Sequence, residues 1–418
     1  VTSEQPLPAI LGQAEEGVRL VKLSEIANNS DLRPTKIPSR EVPHAVLESN
    51  YNCNRKCRHC YNRFRDIVKP LGQIKAEIDE MLSVRRLETI SILGGEPTLH
   101  PDLPEIVRYV KSKNLICQIL TNGVLLLKAE GDALLEELVQ AGLDRIVLHV
   151  DDGQGLTEGE VEEMRTVLFE KFEARRLYFA LSVTLSASKP DIIPIVMKRY
   201  AHYHYFDGIL ATLARPMDLV VQSLPSRNGS PELCQVYAGI KSGLHIEPSS
   251  YIPSNLDDRE VRWLIYFYYL NAGTGQAVPL SPAFSRLVRR AYRLLKGRHL
   301  FAFTMKQSLS KLWFLLTFLA EIVLAPSITS RYVRMVKNSR RLGDIRFQYI
   351  VVQSAPQFNF EKQRLEICYH CPDATIRNGR LAPVCLADWL SPPGKHSSEK
   401  TDNPGIAETV YAHLEEAA

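Results

Sequence analysis

The sequence predicts an α/β fold, a parallel sheet with helical crossovers that is either open or curled into a barrel, joined to a mainly helical, cysteine-bearing C-terminal domain. Three observations predict it. From His44 onward a short apolar run followed by a helical run recurs six times, the pattern that strands and crossover helices leave in a sequence. Beyond Arg215 that alternation gives way to proline-rich and aromatic sequence. Six of the eight cysteines fall into two tight groups, at residues 53–60 and 368–385.

Residues 1–43 carry Pro6, Pro8, Pro34, Pro38 and Pro43 and only a short periodic stretch, and read as an N-terminal arm. In the α/β unit, residues 44–215, strands are expected at 45–48, 89–93, 116–121, 145–150, 177–184 and 208–213, with helices at 74–86, 103–113, 133–141 and 159–175 between them. Residues 216–346 read as a linker followed by a basic and apolar helical region. There, 284–296 places Phe284, Leu287, Val288, Ala291, Tyr292, Leu294 and Leu295 on one side of a helix and arginines on the other. Residues 312–325 are the most apolar stretch, but at about fourteen residues, with Glu321 inside, they fall short of the roughly twenty that span a bilayer. They read as buried or interfacial. Residues 347–390 hold the second cysteine group, and the polar stretch 391–418, with Pro392, Pro393 and Pro404, reads as a tail.

With 418 residues, 45% of them hydrophobic, the chain can bury a large core, which excludes a disordered tail. The first forty residues lack the basic start, apolar run and cleavage site of a secretory signal, so a cytoplasmic location is expected. Eight cysteines are too few for a disulfide scaffold in a chain this long, and clustered thiols in a reducing compartment point to metal. The net charge of +4 conceals an asymmetry: residues 281–346 hold fourteen Lys or Arg against Glu321 and Asp344, which makes that block +12 and the remainder −8.

Cys53, Cys57 and Cys60, following the first expected strand, can place three thiolates around one iron-sulfur cube from a single loop. Such clusters normally take four cysteines, so three leave one iron open to a substrate or cofactor. A zinc knuckle completed by His59 or His100 is the competing reading. The stretch from Cys53 to Tyr61 resembles the signature of the radical S-adenosylmethionine superfamily. That resemblance implies a partial (β/α)6 TIM-like barrel over 44–215, a 4Fe-4S cluster on Cys53, Cys57 and Cys60 as catalytic centre, and S-adenosylmethionine chelated by the open iron. Reductive cleavage to a 5'-deoxyadenosyl radical, driven by an electron donor such as flavodoxin or ferredoxin, is implied with it. Leu93-Gly94-Gly95-Glu96-Pro97, at the end of the second expected strand, is similar to the family's methionine-binding turn. There the glycines let the backbone approach a ligand and Glu96 offers an acceptor to an ammonium group. The resemblance places His59 beside the adenine and adds Asn122 of the Thr121-Asn122-Gly123 turn. His149, where the family more often has serine, and Ser182 and Thr184 on the fifth strand are further candidates for cofactor contact.

Cys368-Tyr-His-Cys371 and Cys385, separated by thirteen residues that include the turn Asn378-Gly379, form the second expected metal site. It resembles the auxiliary iron-sulfur extensions, SPASM or twitch, of some radical enzymes, with Cys234, His370, Asp373 or a substrate atom to complete it. A structural zinc site is the alternative. Cys117, inside an expected strand, reads as an inert core thiol.

The basic and apolar block has the composition of a surface that meets anionic headgroups, so peripheral membrane contact is expected. An ordinary helical subdomain is the alternative, and nucleic acid ranks lower because no RNA-binding motif accompanies the charge. The resulting expectation is hydrogen abstraction from an unactivated carbon of an apolar small molecule, with a lipid or isoprenoid leading. Its rivals are a peptide-modifying maturase of the SPASM type and a non-enzymatic module stabilised by zinc.

Overall fold

The computed structural model describes residues 22–26, 32–64, 66–185, 189–213, 232–300, 310–359, 362 and 364–391, without the side chains of residues 310 and 311. The expected tail beyond Ser391 and much of the expected arm lie outside the described residues.

Six strands follow one another in parallel: β1 (His44–Asn50), β2 (Thr89–Gly94), β3 (Ile116–Thr121), β4 (Arg145–His149), β5 (Tyr178–Leu185) and β6 (Phe206–Leu213). After the short α1 (Leu23–Ile26), the crossovers are α2 (Leu71–Val84), α3 (Leu103–Ser112), α4 (Ala129–Gln140), α5 (Glu158–Ala174) and α6 (Ile192–Arg199). Every residue of β1 and β2 is buried, as parallel strands covered on both faces require. Local sequence sets the crossovers. Thr157 and Glu160 close a reciprocal capping box at the start of α5, whose Phe169 packs 4.5 Å from Phe179 of β5. Each aromatic ring so removed from water stabilises the fold by roughly 1.5–3 kcal/mol.

The region from 216 to 346 holds strands as well as the expected helices. After α7 (Leu233–Leu244) come β7 (Ser250–Pro253), β8 (Val261–Asn271) and β9 (Ala277–Pro279), then α8 (Pro282–Lys296), α9 (Ser310–Leu324) and α10 (Pro326–Asn338). The next strand, β10 (Ile345–Ser354), lies parallel to β6 and antiparallel to β8, so the sheet runs β1-β2-β3-β4-β5-β6-β10-β8-β7, with β9 on β8. β8 shows no helical period because nearly all of its residues are buried whichever face they point to.

The last described segment contains β11 (Gln357–Asn359), β12 (Arg364–Glu366), the hairpin β13 (Ala374–Arg377) and β14 (Arg380–Pro383), and α11 (Ala387–Leu390). Asn378 and Gly379 both take left-handed backbone at the hairpin turn, as two-residue turns between antiparallel strands demand. This segment ties the two edges of the sheet together. Cys368 bridges to Ser254 beyond β7, while buried Arg85, at the end of α2, donates to the carbonyls of His44 (2.9 Å) in β1 and Cys371 (3.0 Å). Arg377 sits between the carboxylates of Glu48 in β1 (2.5 Å) and Asp388 (3.2 Å), all three buried.

Candidate active site

The chain between β1 and α2 is the cysteine loop, and it emerges at the carboxyl ends of the parallel strands. Backbone contacts hold it there. Arg58 N–H donates to the Gly153 carbonyl beyond β4 (2.8 Å), and Asn62 donates to the Gly94 carbonyl (2.5 Å). Gly95 N–H donates to Asn50 O and Glu96 N–H to Asn52 O, both at 2.7 Å. The two glycines permit this approach. A Cβ on Gly94 would stand 1.9 Å from the Asn50 carbonyl oxygen, and one on Gly95 2.2 Å from that of Asn52; Gly94 also has φ +144°. The close approach they allow is thus to the loop's own backbone.

Cys53 and Cys57 are half-buried and Cys60 is exposed. Together with His59, Gly94, Gly95, Glu96, Asn122, His149 and Ser182 they line one cavity of about 220 Å³. Of the expected cofactor residues, only Pro97 lies outside that lining, buried at the start of a single helical turn. Asn122 reaches back to the loop, donating to Asn54 Oδ1 at 2.7 Å and approaching Cys53 Sγ at 3.8 Å. His149 Nδ1 lies 3.4 Å from Ser182 Oγ, and its Nε2 lies 3.6 Å from Asp151, which also accepts from Thr184 N–H.

Glu96 has a different local setting from the one expected. Its Oε1 accepts from Thr98 N–H, Thr98 Oγ1 and Thr121 Oγ1, and its Oε2 accepts from Asn122 N–H at 2.7 Å. Burial pushes its carboxyl up from the ordinary range against the pull of those donors. The carboxylate therefore splices the turns after β2 and β3 together.

A second, larger cavity of about 270 Å³ descends through the barrel. Its walls are largely apolar, with Val147, Leu210, Trp263, Phe267 and Val351 among them. Tyr61, Leu93, Leu120, Ser182, Thr212 and Cys385 line both cavities, so the two adjoin. The floor is polar. Ser91 Oγ meets His44 Nε2 (2.6 Å) and Gln118 Nε2 (2.5 Å), Gln118 Oε1 accepts from Arg145, and Arg145 pairs with Asp207 at 2.5 Å. Burial raises the Asp207 carboxyl to about 6 despite that arginine.

Cys368 and Cys371 are buried in the wall of this chamber and Cys385 is half-buried at its junction with the first cavity. Trp263 Nε1 donates to Cys368 Sγ at 2.9 Å. Of the residues offered to complete this group, Asp373 accepts from Gln353 (2.8 Å) and lies 3.2 Å from His44, while His370 turns to the Ile37 carbonyl (2.8 Å). Cys234 sits on α7, donates to Glu232 at 3.3 Å and lines neither cavity. Cys117 is buried within β3, where burial pushes its thiol up, consistent with an inert core residue. Sequence reasoning passed over Tyr61, Trp263, Arg85 and Arg377. Only Tyr61, adjoining the last cysteine, carried a positional signal.

Among the described residues no three His, Cys, Asp or Glu are gathered around a single-ion position. Ligands of separate irons in a cube stand further apart than ligands of one ion, so the loop is compatible with a cluster. The cavity beside it also fits a polar cofactor. The side-chain carbonyls of Asn62 and Gln154, both in its lining, are buried without a protein hydrogen-bond donor.

The fold and site define a mostly parallel α/β protein with a three-cysteine loop at the carboxyl ends of its parallel strands. Residues 47–172 match the model of the Radical SAM superfamily, a family whose cofactors are a 4Fe-4S cluster and S-adenosylmethionine. Over 148 residues the chain is 32% identical to a probable GTP 3',8-cyclase of Methanococcus aeolicus, covering 32% of this chain and 48% of that protein. Over 181 residues it is 25% identical to a PqqA peptide cyclase of Xanthomonas euvesicatoria pv. vesicatoria, covering 41% and 44%. A solved structure, Streptococcus suis SuiB bound to precursor peptide SuiA, is similar at 18% identity with a TM-score of 0.35, covering 41% of this chain and 39% of that one. The chain spans about half or less of the length of these proteins.

Proposed function

We propose that this chain is a radical SAM enzyme that acts on an unactivated carbon of an apolar substrate held in the chamber between its two cysteine groups. Cys53, Cys57 and Cys60 would hold the cluster, and the polar cavity beside them, with Asn122, His149 and Ser182, would hold S-adenosylmethionine. When bound, those groups supply the radical chemistry of hydrogen abstraction. The protein's own contribution is placement and exclusion of water. The adjacency of the two cavities carries the reading, because a substrate in the apolar chamber would lie next to the cofactor cavity at their shared wall of Tyr61, Leu93 and Leu120. Cys368, Cys371 and Cys385 would hold a second cluster at that chamber's wall.

The chamber's apolar wall favours a hydrocarbon, whereas the comparisons give a lipid no support. A peptide presenting an apolar side chain is the second reading, and the relative named as a peptide cyclase favours it. Anaerobic reconstitution tests the shared core of both. About eight irons per chain and 5'-deoxyadenosine release are expected. Bound zinc without cofactor cleavage would reject the enzyme reading. Transfer of deuterium into 5'-deoxyadenosine from a perdeuterated lipid extract, or from a deuterated peptide pool, then separates the substrate classes.

A further inference from the structure

One surface of the molecule has no place in the chemistry above. Helix α9 turns Phe314, Thr317, Phe318 and Glu321, at the spacing of one helical face, onto β8 and β10. Thr317 Oγ1 lies 3.1 Å from Tyr269 Oη, Phe314 meets the Tyr269 ring edge-on at 4.9 Å, and Glu321 accepts from Ser281 N–H at 2.7 Å. The opposite face is equally apolar and open: Leu315 is 50% exposed, Leu319 53% and Val323 78%. A helix apolar all the way round is ordinarily covered on every side. The neighbouring helices carry exposed apolar side chains too, Leu294 (87%) and Leu295 (83%) on α8 and Val333 and Val336 on α10.

The rim of this patch is cationic. Arg290 and Lys296 on α8, Arg334 and Lys337 on α10, and Arg340 and Arg341 beyond it are all exposed. The only acidic residues among 281–346 are Glu321, buried and facing inward, and Asp344, half-buried and accepting from Arg341 N–H. No carboxylate on these helices therefore neutralises the rim.

We propose that the α8–α10 face docks on the surface of a membrane containing anionic phospholipid, the leucines entering the acyl boundary and the rim meeting the headgroup phosphates. Charge selects this occupant over a second copy of the chain, since self-association would bring two cationic rims together. Length selects docking over spanning: fifteen residues of α9 rise about 22 Å against a hydrocarbon core of about 30 Å, and no described helix is long and apolar enough to cross. The position of α8 adds a consequence. Tyr292 is hydrogen-bonded to Glu88 and Arg298 donates to the Leu87 carbonyl (2.8 Å), so α8 lies at the amino ends of the strands, opposite the cysteine loop. Its Arg289 also lines the chamber, which thus reaches the membrane-facing helices from the far end.

Docking does not depend on the radical reading, and vesicle flotation measures it separately. The full chain should float with phosphatidylcholine vesicles containing phosphatidylglycerol, less with pure phosphatidylcholine, and less again as salt rises. The combined Leu315→Ser, Leu319→Ser and Val323→Ser variant should lose binding by at least about tenfold, with its thermal transition unchanged because these side chains leave the core intact. The Arg334→Glu, Lys337→Glu variant should lose the preference for phosphatidylglycerol. Absence of flotation by the unaltered chain, equal flotation by the serine variant, or a vesicle-independent dimer abolished by those serines would each overturn the proposal. 5'-deoxyadenosine release by the reconstituted protein, read in parallel, would stand or fall independently.

Discussion

The two cysteine groups are built in opposite ways. The first hangs on a loop that has neither strand nor helix from Tyr51 to Cys60, and Cys60 is exposed. Its position comes from a few backbone hydrogen bonds to the turns after β2 and β4. The second is embedded: Cys368 and Cys371 are buried, Trp263 donates to one thiol, and Arg85 holds the carbonyl of the other. An accessible group can exchange a cofactor, whereas an embedded one is part of the wall and ties sheet edges together.

The sharpest break in that comparison comes from single cysteine changes. Cys57→Ala should abolish 5'-deoxyadenosine formation, while Cys371→Ala should leave it running and halt turnover of substrate. Each should lower the iron content by about half. Equal loss of cofactor cleavage in both variants would erase the distinction between exchangeable and embedded groups.

Next in size is Gly95→Ala, whose methyl would meet the Asn52 carbonyl at 2.2 Å. It should empty the first site of iron and spare the second, as Mössbauer spectra of the reconstituted protein would resolve. Arg377→Met tests the embedded region, because it leaves Glu48 and Asp388 as buried, unpaired carboxylates. A loss of about 3–5 kcal/mol in chemical denaturation is expected, and a change below 1 kcal/mol, on the scale of exposed pairs, would show that the segment is not anchored there. The smallest effect belongs to Trp263→Phe, which removes one donor to Cys368. It should destabilise by about 1 kcal/mol and alter the spectrum of the second cluster alone.

The first six strands were legible almost residue by residue, since each pairs with the next and every crossover restores the same alternation. The expected strand at 116–121 is β3, and the expected helix at 103–113 differs from α3 by one residue. What lay beyond 213 was obscure for a physical reason. Pairing of β10 with both β6 and β8 is a property of spatial order, and no local period records it. Within the site, the cysteine loop and the Gly94-Gly95 turn were found by spacing, and the structure brings them to one cavity. The setting of Glu96 was missed because its four donors come from Thr98, Thr121 and Asn122, ordinary turn residues in the sequence. Arg85 and Arg377 look like any solvated arginine until the C-terminal segment covers them.

The insertion of β10 also dictates an order of assembly. Residues 44–213 can pair among themselves as soon as they leave the ribosome, but the outer side of β6 stays an unpaired strand edge until residue 345 and its successors arrive. More than a hundred residues of chain are made in between, including the leucine-rich α9. During that interval the nascent protein presents both an open sheet edge and unburied apolar helices, the combination that recruits chaperones and promotes aggregation. Contacts of such long sequence separation slow folding relative to the sheet's local units.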